Sequence, residues 1–126
     1  MEILAGRVLI QPVDPVRSIA FYRDVLGLAV YREFPGGTVF FLGGGYLEVS
    51  GHREPPTHDE HVRLWLQVRD LAATYRELLA RGATVVRPPQ REPWGLDEMW
   101  ITDPDGLRIA VVEVPPQHPL RRDPRP

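Results

Sequence analysis

The chain contains an internal repeat, and this repeat restricts the folds it can adopt. The segment RVLIQ at residues 7–11 returns as RLWLQ at residues 63–67, and each copy is followed by a helix-capping candidate, Asp14 or Asp70. The copies begin 56 residues apart, at positions 7 and 63 of a 126-residue chain. A repeat of this length indicates one supersecondary unit made twice. We therefore expect two similar units that enclose a ligand-binding cleft.

The composition favours a compact cytoplasmic protein. The length suffices to bury a core without cross-links, and the chain has no cysteine, which excludes disulfides and a thiol nucleophile. We recognise no signal peptide and no apolar run long enough to span a membrane. The formal net charge of −2, with both signs interspersed, disfavours nucleic-acid binding.

The hydrophobic pattern of the first half predicts a strand, a helix and then three strands. The first strand runs from Arg7 to Val13, and the helix begins after Asp14 and ends near Leu26. Turn-forming glycines then separate three predicted strands, at 28–33, 38–42 and 46–50.

The second half repeats this order. A strand opens at His61, and Asp70 caps a helix that runs through Arg81. A strand over 83–87 ends at Pro88 and Pro89. The last two strands, 98–102 and 107–114, form a hairpin around the DPDG turn.

We therefore predict an α+β fold with two βαβββ modules whose curved mixed sheets form a cleft. The predicted boundaries are 1–52 for the first module, 53–60 for a linker, 61–114 for the second module and 115–126 for a proline-rich disordered tail. One face of each sheet is apolar and packs on its helix. The other carries Arg, Gln, Glu and Trp, a mixture typical of a ligand-lining wall.

Three segments carry a family resemblance: SIAFYRDVLGL at 18–28, PWG at 93–95 and DPDGLRIAVVE at 103–113. Together they resemble the vicinal oxygen chelate superfamily, which includes glyoxalase I, ring-cleaving dioxygenases and bleomycin-resistance proteins. The resemblance extends over residues 5–114. It implies the fold, but not a single activity, because this fold carries many chemistries.

The resemblance also implies where a divalent metal would bind. Enzymes of this superfamily hold one metal with four side chains, and those positions fall here on Arg7, Glu48, Arg63 and Ala110. Of these, Glu48 alone has a metal-ligating atom, because arginine stays protonated and has no lone pair to offer. We therefore expect no metal cofactor. A displaced divalent-metal site formed by His61, Glu48 and Gln11 is the alternative.

The function that this pattern favours is small-molecule binding without catalysis, as in bleomycin-resistance proteins. We expect an aromatic or anionic ligand in the cleft of a homodimer, with no nucleic-acid or membrane partner. The alternative is a metal-dependent lyase, isomerase or dioxygenase. The candidate ligand-binding residues are those of the polar and aromatic faces: Arg7, Gln11, Glu48, Arg63, Trp65, Gln67, Trp100 and Arg108.

Individual side chains in this set have more than one interpretation. Arg7, Glu48 and Arg63 form either an anion-binding cluster or an ion network that replaces the metal. Trp65 and Trp100 form either a stacking wall or a buried filler of the vacated space. We interpret Glu98 as an edge charge. Glu48 as a catalytic base ranks last, because neighbouring arginines would lower its pKa.

Overall fold

The chain folds as two units with the same architecture. The computed structural model describes residues 1–54 and 61–121. The boundary between the two compact units falls between residues 58 and 59, inside the predicted linker 53–60. Residues 55–60 of that linker and residues 122–126 of the predicted tail lie outside the described residues.

The first unit has four strands and one helix. Its sheet has the order β1-β4-β3-β2, in which β1 runs parallel to β4 and the other neighbours are antiparallel. The elements are β1 (Val8–Ile10), α1 (Pro15–Ala20), β2 (Val30–Phe34), β3 (Gly37–Leu42) and β4 (Gly45–Ser50).

The second unit repeats this order strand for strand. Its sheet is β5-β8-β7-β6, again with the first strand parallel to the last. The elements are β5 (Arg63–Gln67), α2 (Leu71–Ala80), β6 (Thr84–Arg91), β7 (Asp97–Thr102) and β8 (Arg108–Glu113). Two mixed four-stranded sheets with few helices confirm the predicted α+β fold.

The helix of each unit begins at the aspartate that the repeat predicts. The Asp14 carboxylate accepts a hydrogen bond from the Arg17 amide at 3.2 Å, and the Asp70 carboxylate accepts one from the Ala73 amide at 3.0 Å. Each bond satisfies an amide that the first helical turn leaves without a partner. The same local chemistry therefore starts both helices.

The first helix changes its winding before its predicted end near Leu26. The α-helix stops at Ala20, and a π-helical turn follows over Phe21–Val25, where the Leu26 amide bonds to the Phe21 carbonyl. Phe21 and Tyr22 are adjacent, yet both are buried, and their rings meet edge to face at 5.0 Å. The wider turn accommodates two consecutive aromatic side chains in the core.

The main core of each unit lies between its sheet and its helix, and the second unit also buries Leu96, Ala110, Val112 and Val114 on the other sheet face. In the first unit, Tyr22 from the π turn contacts Phe40, beside buried Leu47 and Val49. The second unit buries the corresponding apolar residues of its strands and helix, which are Leu64, Leu71, Leu78, Met99, Ile101, Ile109 and Val111. The short edge strand β1 contributes less than its pattern predicts, since Val8 is 41% exposed.

Strand β6 does not end where the sequence predicts. It continues through Pro88 and Pro89 to Arg91, with an irregular register between Arg87 and Gln90. A proline cannot donate to a ladder, but β6 is the outer strand of its sheet and has a partner on one side only. The prolines therefore interrupt the pairing without ending the strand.

The first part of the predicted tail is ordered against the rest of its unit. The His118 amide donates to the Pro115 carbonyl, and a 3₁₀ turn follows over Pro119–Arg121. The His118 ring nitrogen Nε2 lies 3.1 Å from the Trp94 carbonyl oxygen. In the part of the chain that the structure describes, no helix has the length and apolar character of a membrane span.

Candidate functional site

In each unit the predicted site residues lie on the sheet face opposite the helix, which we call the open face. In β8, Glu113 accepts a hydrogen bond from the first amide of α2, so its face is the helix side. Arg108 and Ala110 alternate with Glu113 and therefore point to the open face. In β4, buried Leu47 pairs with Phe40 on the core side, so Glu48 points away from the core.

The first-unit open face centres on an ion pair. An Nη atom of Arg7 lies 2.9 Å from Oε1 of Glu48, and the Ser50 hydroxyl donates to Oε2 at 2.7 Å. Both carboxylate oxygens of Glu48 therefore have a partner. The structure brings together Arg7 and Glu48, two members of the predicted Arg7–Glu48–Arg63 cluster, and adds Ser50, which is on the same face of β4. The third member, Arg63, belongs to the second unit.

These contacts lower the pKa of Glu48. The Ser50 hydroxyl has the largest effect, burial opposes it, and the Arg7 guanidinium adds to it. A general base near neutral pH needs the opposite shift. The direction agrees with the low rank that the sequence gives to Glu48 as a catalytic base, although the sequence pattern points to the arginines and not to the hydroxyl.

Three aromatic rings lie on the same face and are absent from the sequence-based site. Tyr31, Phe41 and Tyr46 contact one another at centroid distances of 4.8–5.7 Å. Phe41 pairs with Tyr46 across β3 and β4, and Tyr46 alternates with Glu48. The period-2 pattern of β4 would have placed Tyr46 on this face.

The two predicted glutamines are peripheral. Gln11 lies one residue beyond the end of β1, with its side chain next to Gly51, and it is exposed. Gln67 is the last residue of β5 and is also exposed. Neither glutamine belongs to the ion-paired or aromatic clusters of its unit.

The second-unit open face carries the two predicted tryptophans on either side of a small residue. Trp65 of β5 and Trp100 of β7 both pair with Ala110 of the intervening strand β8. Directly paired residues point to the same side of a sheet. Trp65 is 48% exposed, whereas Trp100 is partly buried against a cluster that includes Ala110 and Leu96.

Three guanidinium groups surround the Trp100 ring. The Cζ atom of Arg87 lies 3.8 Å from the ring centroid, and those of Arg108 and Arg63 lie at 5.5 and 5.8 Å. All three distances are within the range of cation–π attraction. Trp100, Arg63 and Arg108, all candidate ligand-binding residues, therefore form one cluster, and Arg87 is an unpredicted member of it.

Glu98 is not the edge charge that the sequence suggests. It is 5% exposed, and its two carboxylate oxygens accept hydrogen bonds from the indole nitrogens of Trp94 and Trp100, at 2.8 and 3.2 Å. Paired with the buried Val112 of an inner strand, its side chain is held below the surface. The two acceptor oxygens fix the orientation of both indoles.

Arg87 and Glu92 complete the support behind Trp100. Nη2 of Arg87 donates to the Glu98 carbonyl at 3.0 Å and forms an ion pair with Glu92, which is buried. The sequence pattern does not reveal this pair, because it predicts that the strand ends at Pro88 and Pro89, between the two residues. Arg87 and Glu92 can pair because β6 continues past the two prolines to Arg91.

A separate groove of about 660 Å³ lies on the helix side of the second unit, near the start of α2 and the end of β6. None of the predicted site residues lines it. Its charged residues include Arg91 and Asp97, which pair with each other, and Glu113, which caps α2. We therefore place the candidate site on the open faces, where the predicted residues cluster.

The residues at the family's four metal positions do not fit a divalent cation. The repeat supports the assignment of these positions, because Leu9 pairs with Glu48 as Trp65 pairs with Ala110. Glu48 is already bonded through both oxygens, and Ala110 has no ligand atom. Within each unit, the described residues include no cluster of three His, Cys, Asp or Glu side chains. We derive no metal-dependent step from these residues.

Curated relatives of this chain include bacterial transferases. Metallothiol transferase FosB of Staphylococcus saprophyticus is 22% identical over 103 residues, which cover 78% of this chain and 68% of that protein. The protein of the same name from Staphylococcus haemolyticus is 24% identical over 100 residues, covering 75% of this chain and 72% of that protein.

Solved structures share the fold. A protein of unknown function from Agrobacterium tumefaciens has a TM-score of 0.72 at 24% identity, covering 91% of this chain and 95% of that one. TioX from Micromonospora sp. ML1 has a TM-score of 0.70 at 23% identity, with 87% and 95% covered. Lactoylglutathione lyase from Agrobacterium tumefaciens has a TM-score of 0.65 at 21% identity, with 85% and 90% covered.

The sequence profile of one superfamily matches residues 5–111, which is most of the chain. Its description agrees with the resemblance carried by the FYRDVLGL and DPDG segments. The chain belongs to the Glyoxalase/Bleomycin resistance protein/Dioxygenase superfamily.

Proposed function

We propose that this protein binds a small planar organic molecule without a metal and without transforming it. One observation carries the proposal: Trp65 and Trp100 flank Ala110 on the second-unit open face, and half of Trp65 is exposed. Exposed large aromatic groups next to charged ones are typical of ligand-binding surfaces. A planar ligand would stack on these indoles.

The contacts around Trp100 support this proposal because they pre-organise the ring. Glu98 holds the indole nitrogen, and Arg87 packs against the ring while pairing with Glu92. A side chain that is already fixed loses little conformational entropy when a ligand binds. The binding surface therefore exists before the ligand arrives.

The first-unit open face supports binding over catalysis by Glu48. Its one family-position ligand, Glu48, is bonded to Arg7 and Ser50 and has a lowered pKa. This arrangement suits a stable ion pair and does not suit a general base. We also propose that the protein is a homodimer whose two copies both contribute to the ligand site.

A second candidate function is a metal-dependent transferase or lyase, because curated relatives are named metallothiol transferases. Such an enzyme would need the displaced site of His61, Glu48 and Gln11. In the structure the two oxygens of Glu48 instead accept hydrogen bonds from Arg7 and Ser50. The measurement that separates the two functions is therefore metal retention.

The first experiment measures metal content of the purified protein after incubation with nickel, zinc, manganese or ferrous iron and desalting. We expect far less than one metal ion per chain. Retention of about one ion per chain, lost in Glu48→Gln, would contradict metal-free binding and favour the transferase.

The second experiment screens planar aromatic compounds by saturation-transfer NMR and compares variants of the two units. We expect Trp65→Ala to weaken binding about fivefold to tenfold. Leu9→Ala is the matched control, because Leu9 occupies the same repeat position in the first unit. Unchanged affinity in Trp65→Ala, with the fold intact by circular dichroism, would refute the stacking role. Light scattering tests the proposed dimer.

A further inference from the structure

We infer that Arg63 and Arg108 form an oxyanion-binding subsite beside the tryptophans, so that the ligand combines a planar ring with a carboxylate, sulfonate or phosphate group. This inference rests on the proposed function and specifies its ligand class. It depends on the placement of two like charges that no described carboxylate of the second unit neutralises.

Arg63 and Arg108 are direct partners across neighbouring strands. They occupy paired positions of β5 and β8, on the open face, and their guanidinium carbons lie 5.8 and 5.5 Å from the centroid of the same Trp100 ring. Like charges in directly opposed positions destabilise a sheet. Attraction to the indole offsets part of this repulsion, and an anion between the two arginines would remove the rest.

No carboxylate among the described residues of the second unit, 61–121, forms an ion pair with Arg63 or Arg108. The nearby acidic groups are committed elsewhere. Glu98 accepts from two indole nitrogens, and Glu92 pairs with Arg87. The two arginines therefore contribute positive charge that the described side chains around Trp100 do not neutralise.

The internal repeat shows what the same position does when a carboxylate is present. Arg7 holds the position of Arg63 in the first unit, and there it bonds to Glu48. The residue that corresponds to Glu48 in the second unit is Ala110, by the shared strand register. The second unit thus has the arginine of this pair without its carboxylate, and it adds Arg108.

The chemistry of two adjacent guanidinium groups identifies the ligand group. Each guanidinium presents a planar set of donors that matches two oxygens of a carboxylate, sulfonate or phosphate. The neighbouring Trp65 and Trp100 present the apolar surface for a ring attached to that group. A neutral or cationic aromatic molecule would gain from the rings alone.

The test compares 1-naphthoate with the neutral 1-naphthalenemethanol, using the full-length protein and NMR titration. We expect the parent to bind naphthoate about tenfold more tightly, as a charge-assisted hydrogen bond would give. Arg63→Gln and Arg108→Gln should each abolish most of this preference. Arg23→Gln, which removes one exposed charge paired with Asp24, is the charge-matched control and should preserve it.

A second arm uses inorganic phosphate as the probe, with chloride at the same ionic strength as reference. Phosphate should raise the Tm of the parent and of Arg23→Gln, and the increase should disappear in Arg63→Gln and Arg108→Gln. Equal stabilisation of all four proteins would overturn the subsite, because it would show a general salt effect.

The outcomes distinguish this inference from the function on which it rests. Equal affinity for both naphthalene compounds, reduced by Trp65→Ala but unchanged in the arginine variants, would overturn the oxyanion subsite and leave aromatic binding in place. Arginine-dependent phosphate binding with no affinity for either naphthalene compound would support the subsite and overturn aromatic binding. No binding of any probe would overturn both.

Discussion

The open faces of the two units are formed by corresponding strands and present different side chains. Strand order and register are shared, so each position across one sheet has a counterpart in the other. The central row of the first unit is Leu9, Glu48, Val39 and Arg32, and that of the second is Trp65, Ala110, Trp100 and Arg87. The first row has the carboxylate of Glu48 where the second has Ala110, and the second row has tryptophans where the first has Leu9 and Val39.

This difference shows how one scaffold can direct the same arginine to two roles. In the first unit Arg7 is neutralised by Glu48, and Ser50 completes the carboxylate's bonding. In the second unit Arg63 pairs with Arg108, and the guanidinium groups of both lie within cation–π range of the Trp100 ring. The fold determines where these side chains stand, and the residue types at three or four positions determine what they bind.

The largest expected effects on stability come from a position at which both units have a fully buried aliphatic side chain. Leu47 and Ile109 are fully buried counterparts in the central strands of their sheets. We expect Leu47→Ala and Ile109→Ala each to lower the free energy of unfolding by about 3 kcal/mol, because each leaves a core cavity. Urea denaturation followed by far-UV circular dichroism measures this.

The Leu47→Ala and Ile109→Ala variants also test whether the two units differ in stability, as they differ in the side chains of their open faces. The second unit contains all three tryptophans, so fluorescence follows that unit while circular dichroism follows both. Coincident transitions in both variants would indicate that the units unfold together. A loss below about 1 kcal/mol in either variant would contradict the equivalence of the two cores.

The next largest expected effect on stability is at Glu98, a position at which the two units differ in residue type and contacts. Glu98 corresponds in register to Gly37 of the first unit, so its bonds to Trp94 and Trp100 have no counterpart there. We expect Glu98→Ala to cost about 2 kcal/mol, because it leaves the partly buried indole donor of Trp100 without its acceptor. Glu98→Gln, which keeps one acceptor oxygen, should lose less.

Equilibrium urea unfolding and ligand titration test this prediction together. If Glu98 positions Trp100, Glu98→Ala should also weaken binding of the planar ligand, with partial rescue by glutamine. An alanine variant as stable as the parent would show that the indole nitrogens find other acceptors. It would then remove the argument for a pre-organised second-unit face.

The sequence predicted features that depend on local periodicity and capping, and it missed features that depend on the path of a strand. Asp14 and Asp70 begin their helices, and Trp65 and Trp100 share a face, because alternation and capping act over a few residues. The continuation of β6 past Pro88 depends on its place at the sheet edge, which no local pattern reveals. The buried pair of Arg87 and Glu92 was missed for that reason.

The pH dependence of stability should differ between the units, since Glu48 has no acidic counterpart at Ala110. The pKa of Glu48 in the folded protein lies below its ordinary value of 4.5, chiefly through the Ser50 hydroxyl. The ionised carboxylate therefore stabilises the fold fully above that ordinary value, and this contribution is lost as the pH falls through the lowered pKa. Glu48→Gln should be less stable than the parent near neutral pH.

Urea unfolding of both proteins, from neutral pH to well below 4.5, measures this contribution. The difference between parent and Glu48→Gln should shrink as the pH falls, since protonation removes the same charge that the substitution removes. A difference that stays constant with pH would assign the effect of the substitution to packing. In that case the charge of Glu48 would contribute as little to stability as the uncharged Ala110 does in the second unit.

The smallest expected effects concern the two equivalent arginines, Arg7 and Arg63. Here the sign of the change in the free energy of unfolding is more informative than its size. Arg7→Gln should destabilise the protein slightly, because it breaks the bond to Glu48. In chloride, Arg63→Gln should be neutral or should stabilise by about 0.3 kcal/mol, because it removes one of two opposed like charges. Matched urea titrations resolve the two signs when the variants are measured side by side. If Arg63→Gln destabilised as much as Arg7→Gln, Arg63 would have a counter-charge that the described residues do not supply, and the charge difference between the two open faces would disappear.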